Sequence, residues 1–449
     1  MSSQLSDQPR TFFGQPMALA YLSFTEAWER FSYYGMTAIL VLYMSQALLL
    51  PGHVEHIVGF AAFRSSLESV FGPMTTLGLA SQIMGLYTGL VYFTPVLGGW
   101  IADRWIGRRL AVMIGAVMMS AGHVAMAFDA SFLLALALLI AGCGLLKGNI
   151  STQVGELYAE SDGEGRTRAF TIFSMGINVG AVVGPLACGL LAQLYGWHAG
   201  FGLAGALMLI GLVTYIAGFR YLPADRPRIA KTQTNTALTA RQWRIVGALG
   251  VVSAITIFQS IGYYQNTNLA LVWIDHSVDL DFLGFHVPVA WFNSIDPLAS
   301  IVGVPLLLAL WRRQAARGNE PDDLGKIGTG AWLTTIANLL LVTACTLGTR
   351  TNVLVPIVYD ILLGIGFLYY WPPLLALVSR AAPNRVKATL MGAVFLTLFI
   401  SNTIIGWLGG FYEHMTPAGF WAMHAAIAAC GGVLAFVLKR PLKRAMEID

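Results

Sequence analysis

The chemistry most visible in this chain sits where charge is expensive. Within an apolar run near residues 17–49, the segment TEAWERFSYYG carries Glu26, Glu29 and Arg30. Glu26 precedes Arg30 by four residues, the favourable order for a helical ion pair. Positions 26, 30 and 33 share one face, with 29 beside them. A helix beginning near residue 17 puts Arg30 about 20 Å along its axis at 1.5 Å per residue. That is past the middle of a hydrocarbon core about 30 Å thick. A charge at that depth costs at least about 2.5–3.5 kcal/mol on insertion scales, so such residues are candidates for ion or substrate handling. A pair that merely locks two helices together is the plainer alternative. Two acids against one base leave a charge, or a proton, over, which a lock does not need.

Lys147 lies in a later apolar run, LLIAGCGLLKGNIST, between Gly144 and Gly148, which permit close backbone approach. A buried Lys needs an acidic partner or a lowered proton affinity, and the spare acid of the first helix is the natural partner. Asp296 is the acid of the run WFNSIDPLASIVG, and Asp360 stands in VPIVYDILLG, nearer the outer end, where it is as readily a water-facing residue. His53 and His56 form H-x-x-H in a loop without a carboxylate or Cys beside them in sequence, so no metal site is expected. Cys143, Cys188, Cys345 and Cys430 are far apart in apolar runs and read as packing residues. No nucleophile–base arrangement or H-E-x-x-H motif is visible, and no enzyme or cofactor is expected.

The elements that must hold these residues follow from composition. Of 449 residues, 56% are apolar and 11% charged, against about 25% charged in soluble domains. That excludes a soluble enzyme, a disordered tail protein and a nucleic-acid binder. Apolar runs fall near 17–49, 77–101, 109–127, 131–157, 169–195, 199–221, 243–272, 288–311, 327–347, 353–379, 388–411 and 418–438. Each is long enough to span a bilayer. The first continues too far for the apolar stretch of a cleavable signal. With the N-terminus inside, outer loops hold only Arg64 and Arg350 of the 27 Lys and Arg, and Arg30 and Lys147 lie in the runs. The remainder are inside, so both termini are expected to be cytoplasmic.

The expected fold is an all-α membrane protein of twelve transmembrane helices in two six-helix lobes. The divisions are a tail at 1–16, a lobe at 17–221, a basic, Pro-containing cytoplasmic linker at 222–242, a lobe at 243–438 and a tail at 439–449. Two lobes about a central linker is the layout of transporters with a midplane site.

Several segments resemble known motifs. GGWIADRWIGRR, Gly98 to Arg109, resembles the loop signature of the major facilitator superfamily. EAWERFSYYG is similar to the E-x-x-E-R-F-x-Y-Y-G motif of proton-dependent oligopeptide transporters. GCGLLKGNIS, FTIFSMGINVGAVVGP, WFNSIDPL and PPLLALVSRAAPNRVKATLMG resemble that family's later segments, in the right order from about residue 20 to 400. The resemblance implies the major facilitator fold and proton-driven uptake of di- and tripeptides across the cytoplasmic (inner) membrane. It implies that Glu26 and Glu29 handle the proton while Arg30 and Lys147 switch pairs. It also puts Arg30, Lys147, Tyr33, Tyr92 and Asn178 around a peptide carboxylate.

The departures from that pattern are specific. Tyr264 stands where the family carries a seventh-helix Glu, Phe367 where it carries a tenth-helix Glu, Ser174 where it carries a Tyr, and Asp296 where it carries an Asn. The carboxylate-facing half of the site is kept and the amine-facing half rebuilt. Asp296 is expected to bind a substrate ammonium, helped by the aromatic faces of Tyr264, Tyr370 or Trp371, or to be a second proton site. The expected activity is proton-coupled symport of short peptides or peptide-like molecules, with protons and the lipid bilayer as the other partners. The alternatives are transport of a non-peptide organic anion and a non-transporting membrane receptor.

Overall fold

The protein is described by a computed structural model over residues 11, 12, 14–159, 162–222, 225, 238–282, 284–348 and 350–448. Most of the expected N-terminal tail and most of the 222–242 linker lie outside the described residues. Within them run α1 (Met17–Tyr43), α2 (Phe60–Phe71), α3 (Thr76–Ile101), α4 (Arg108–Ala125) and α5 (Phe132–Glu156). There follow α6 (Gly163–Tyr195), α7 (Trp197–Gly218), α8 (Ala240–Tyr264), α9 (Leu269–Ser277) and α10 (Ile295–Ala316). The chain ends with α11 (Asp323–Thr346), α12 (Leu354–Ala381), α13 (Lys387–Gly409), α14 (Pro417–Val437) and α15 (Lys439–Met446). Two short hairpins pair Thr11–Phe12 with Gln15–Pro16 and Asp281–Phe282 with Phe285–His286.

Each apolar run falls on a helix, because in lipid the backbone must satisfy its own hydrogen bonds. Among the described residues nine helices are long and apolar enough to cross a membrane: α5 to α8 and α10 to α14. The chain is therefore a multi-pass membrane protein. Outside those nine, α1 carries three charges within its span and α4 opens on Arg108 and Arg109. The ends are built locally. Thr75 and Asp322 accept the backbone N–H of Gly78 (3.1 Å) and Gly325 (2.9 Å), and Thr239 and Gln242 form a capping box on α8. Gly107, at φ +78°, makes the turn between α3 and α4 that a side chain would strain.

In the first half of the sequence α1 packs on α6 and α7, and α3 and α4 on α5. In the second half α11 packs on α12 and α14, α8 on α13 and α14, and α10 on α12. Two seams join the halves: α3 against α13, and α6 against the 3-10 turn at Val289–Ser294 that leads into α10. The first is closed by small residues. A Cβ on Gly85 would stand 2.9 Å from both the Cα and the N of Gly406, and closer still to the Asn402 carbonyl oxygen.

Hydrogen bonds reinforce the joint. Asn268 donates to Ser81 Oγ (2.9 Å) and Gln46 to Asp275 (2.8 Å). Ser294 and Trp291 donate to the carbonyls of Val182 (2.7 Å) and Leu186 (2.9 Å). The Asn268 and Gln46 bonds lie toward the end that α1 reaches at its C-terminus, and the Ser294 and Trp291 bonds nearer the middle of α6, so the halves are joined from the centre toward that end.

Candidate functional site

The charged cluster of α1 is almost wholly removed from water. Glu29 is 0% exposed, Glu26 2% and Arg30 2%. The Arg30 guanidinium pairs with Glu26 at 3.1 Å and, more tightly, with Glu29. One oxygen of each acid (Glu26 Oε2, Glu29 Oε1) and Arg30 Nη2 have no hydrogen-bond partner. Buried polar atoms are seldom left so, because each costs about 1–3 kcal/mol. The cluster therefore holds one acid more than Arg30 balances and has free donor and acceptor capacity.

Lys147 does not close an ion pair with these acids. Its Nζ lies 4.6 Å from the ring centroid of Tyr92 and 6.0 Å from that of Tyr33. The Arg30 Cζ lies 5.3 Å from the Tyr33 ring centroid. Tyr33 is thus within reach of both cations, which the face of an aromatic ring attracts. From Tyr92 a line of rings crosses to the second half: Tyr92 to Tyr264 at 6.0 Å and Tyr264 to Tyr263 at 4.8 Å. The Tyr263 hydroxyl donates a short hydrogen bond to Asp296 Oδ2, and Asn266 donates to the same oxygen at 3.5 Å.

These rings wall a cavity of about 170 Å³ between the halves. Tyr33, Tyr34 and Thr37 of α1 and Thr88 and Tyr92 of α3 line one side, with Asn178 and Pro185 of α6. Tyr263, Tyr264, Asn266, Asn293, Asp296 and Phe367 line the other. Pro185 lies inside α6 and Pro95 inside α3, where the lost backbone bonds let helices bend around a cavity. Of the residues singled out in the sequence, Tyr33, Tyr92, Asn178, Tyr264 and Asp296 are on the wall. Glu26, Glu29, Arg30 and Lys147 sit behind it. Trp371 is also set back, packed on Phe367, Tyr370 and Phe395.

Two placements differ from the plain expectation. Asp360 is 3% exposed, not at the water surface, because its N-terminal end of α12 is covered by α10 and α11. His53 does have an acid near it, supplied by the fold and not by the sequence around it. Asp129 lies 3.4 Å from both His53 and His198 and accepts the Tyr43 hydroxyl at 2.6 Å. The loop signature is tied down as well. Arg108 pairs with Asp103 at 3.0 Å and with Glu156, while Asp225 accepts the Arg108 backbone N–H at 3.0 Å.

Sequence reasoning passed over the uncharged polar wall, including Thr37, Thr88, Asn266 and Asn293. It also missed buried His123, whose Nε2 meets Ser32 Oγ at 2.7 Å. A His inside an otherwise apolar run was the available signal for the last.

A helical bundle of two halves, joined from the centre toward one end and holding charges and rings at its middle, is the architecture of multi-pass membrane carriers. The sequence model of the POT family matches residues 109–237 and 224–422, and the chain belongs to that family. It is 28% identical to "Uncharacterized transporter YclF" of Bacillus subtilis, over 97% of this chain and 96% of that protein. It is also 28% identical to a "Di-/tripeptide transporter" of Lactococcus lactis subsp. cremoris, over 98% and 99%. The crystal structure of a peptide transporter POT in complex with sulfate superposes with a TM-score of 0.85 at 26% identity, covering 98% of this chain and 97% of that one. A mutant of a peptide transporter POT in complex with alafosfalin gives 0.84 at 27% identity.

Proposed function

We propose that the protein is a proton-coupled symporter of short peptides or peptide-like molecules in the inner (cytoplasmic) membrane. Twelve helices, α1, α3 to α8 and α10 to α14, cross the bilayer as two lobes of six, with both termini cytoplasmic. The observation that carries the reading is the unbalanced Glu26–Glu29–Arg30 cluster directly behind a ring-lined cavity at the joint between the halves. A proton on one of the two acids frees Arg30 or leaves it bound to the other. Lys147, held on Tyr92 and not by an acid, is available to a substrate carboxylate or to whichever acid is released. Tyr33, Tyr92 and Asn178 orient that end of the substrate, and Asp296 with Tyr264 presents negative and aromatic surface to its other end.

With the N-terminus inside, the more closely joined end is the outer one, so this conformer faces inward. The other half of the cycle separates α3 from α13 and α6 from the turn before α10, in the rocking expected of two-lobed carriers. The test is uptake of a labelled dipeptide into proteoliposomes under an acid-outside pH gradient. A thermal-shift screen narrows the substrate, since a ligand at 100 times its dissociation constant adds about 2.7 kcal/mol of stability.

One observation favours a second reading. Tyr264 and Phe367 face the cavity where the family pattern carries acids, and Asp296 is the single carboxylate on the wall. A non-peptide organic anion is the substrate if dipeptides give no shift.

A further inference from the structure

Asp360 is a buried acid for which the transport cycle above has no task. It lies on α12 one turn before Gly364, on the same face. A Cβ on Gly364 would stand 2.7 Å from the main-chain oxygen of Asp296 and 2.9 Å from its Oδ1. Positions i and i+4 of a helix are about 5–6 Å apart, which places Asp360 about one helical turn from that contact, in the same α10–α12 packing. Asp296 is 8% exposed, at the cavity wall, and Asp360 3%, behind it.

The groups around them supply no cation. Among the described residues Tyr34 of α1 and Tyr263 of α8 are the ionisable side chains near Asp296, and Tyr359 is the one near Asp360 on α12 itself. His424 of α14 is turned to Gln265 and to the Phe420 carbonyl. Asp323 and Lys326 of α11 and Lys387 of α13 stand at the opposite end of α12, where Arg380 pairs with Asp323 at 2.8 Å. Among the described residues neither acid forms an ion pair. A second buried polar group on the same turn of α12 is also unmatched: the hydroxyl of Tyr359, a residue 1% exposed, has no hydrogen-bond partner.

Two carboxylates close together, out of water and without a cation, cannot both stay ionised. The partners of the two acids are unequal. Asp296 accepts from the Tyr263 hydroxyl and the Asn266 amide, which favour its charged form. Asp360 makes no hydrogen bond among the described residues. We infer that Asp296 and Asp360 form a proton-holding pair, with the charge on Asp296 at the cavity wall and the proton on the more deeply buried Asp360. The proton comes from water and returns to water, and no other bond changes. The pair is a second proton site, in the half of the molecule opposite Glu26 and Glu29. It keeps a single negative charge facing the cavity. Its role in transport rests on the function proposed above, whereas the proton itself does not.

The experiment is infrared spectroscopy of the purified full-length protein at neutral pH, which reads protonated and ionised carboxyls without any transport. The difference spectrum between wild type and Asp360→Asn should contain a protonated-carboxyl band, and that between wild type and Asp296→Asn an ionised-carboxylate band. A carboxylate band lost in Asp360→Asn would overturn the inference. Should Asp360→Asn not fold, Asp360→Glu keeps the proton in a changed setting and must move the same band; an unmoved band counts against the pair. In proteoliposomes Asp360→Asn should flatten one limb of the pH profile of uptake. A profile superimposable on wild type denies the pair a part in transport. A wild type that takes up no substrate overturns the proposed function and leaves the spectra to judge the pair.

Discussion

The substitution Gly85→Ala probes the α3–α13 seam with a single methyl. Built on the present backbone, that methyl stands 2.9 Å from the Gly406 Cα and N and nearer still to the Asn402 carbonyl oxygen. Carbon atoms pack comfortably at about 3.5–4.0 Å, so α3 and α13 must separate by roughly an ångström. All three neighbours are main-chain atoms, which cannot rotate away as a side-chain tip can. Overpacking of this kind costs about 1–3 kcal/mol. The cost falls on the sealed conformer, because the seam is parted in the other half of the cycle. At 1.4 kcal/mol per factor of ten, a two-state equilibrium shifts about 5- to 150-fold toward the parted conformer. The expected outcome is a folded protein whose gradient-driven uptake falls by at least about tenfold. A single Cys placed at Ser81, which the seam buries, should gain reactivity to a membrane-impermeant reagent added outside. Uptake and Cys reactivity both equal to the Gly85 protein would refute the reasoning that this contact is the outer seal.

Other expectations follow from the same geometry. Glu26→Gln or Glu29→Gln removes one acid from the cluster and should abolish uptake driven by a pH gradient, while exchange at equal pH survives in at least one of them; full gradient-driven uptake in both removes the proton role. Lys147→Ala should fold and lose coupling: a buried acid left charged without a partner costs about 3–5 kcal/mol, and taking up a proton is the cheaper course, so wild-type gradient-driven transport by this variant contradicts the account. Asp296→Asn should weaken substrates with a free amino group far more than their N-acetylated forms in competition assays, and equal effects on both exclude the amine contact. At the N-terminal end of α11, burial works to raise the Asp322 carboxyl, but hydrogen bonds from Lys439, the Gly325 N–H and Lys443 outweigh it and hold the group below its usual range. That contribution is present above the ordinary Asp value and is lost as pH falls through the lowered one, so protease protection of α15 should decline only in strong acid; Asp322→Ala, losing the cap as well, should cost about 1 kcal/mol in unfolding.

How much of this was legible in the sequence depended on what each feature costs. The spanning segments were, because a bilayer demands long apolar runs, and the helix bounds fall within a few residues of them. Three helices were not read. The 12-residue helix Phe60–Phe71 has no long apolar run, though the flanking Gly59 and Gly72, both at positive φ, marked its ends. The segment Leu269–Ser277 continues the seventh run after the polar break at Gln265–Asn268. In Lys439–Met446 the pair Leu442 and Met446, four apart and both buried, was the signal inside an apparent tail. Glu26, Glu29, Arg30, Lys147 and Asp296 stood out because charge in an apolar run is costly. Asn266 and Thr88 did not, since an amide or hydroxyl can sit almost anywhere in a helix. Lys147 resting on Tyr92, and Asp360 meeting Asp296, are matters of tertiary packing that no local pattern encodes.

The central claim is that peptide movement is driven by a proton gradient through this site. Accumulation of a labelled dipeptide in proteoliposomes, with the outside made acid, tests it most directly. The account predicts uptake above equilibrium that collapses when a protonophore is added and is absent in Glu29→Gln. Binding without uptake, or uptake indifferent to the protonophore, would contradict it.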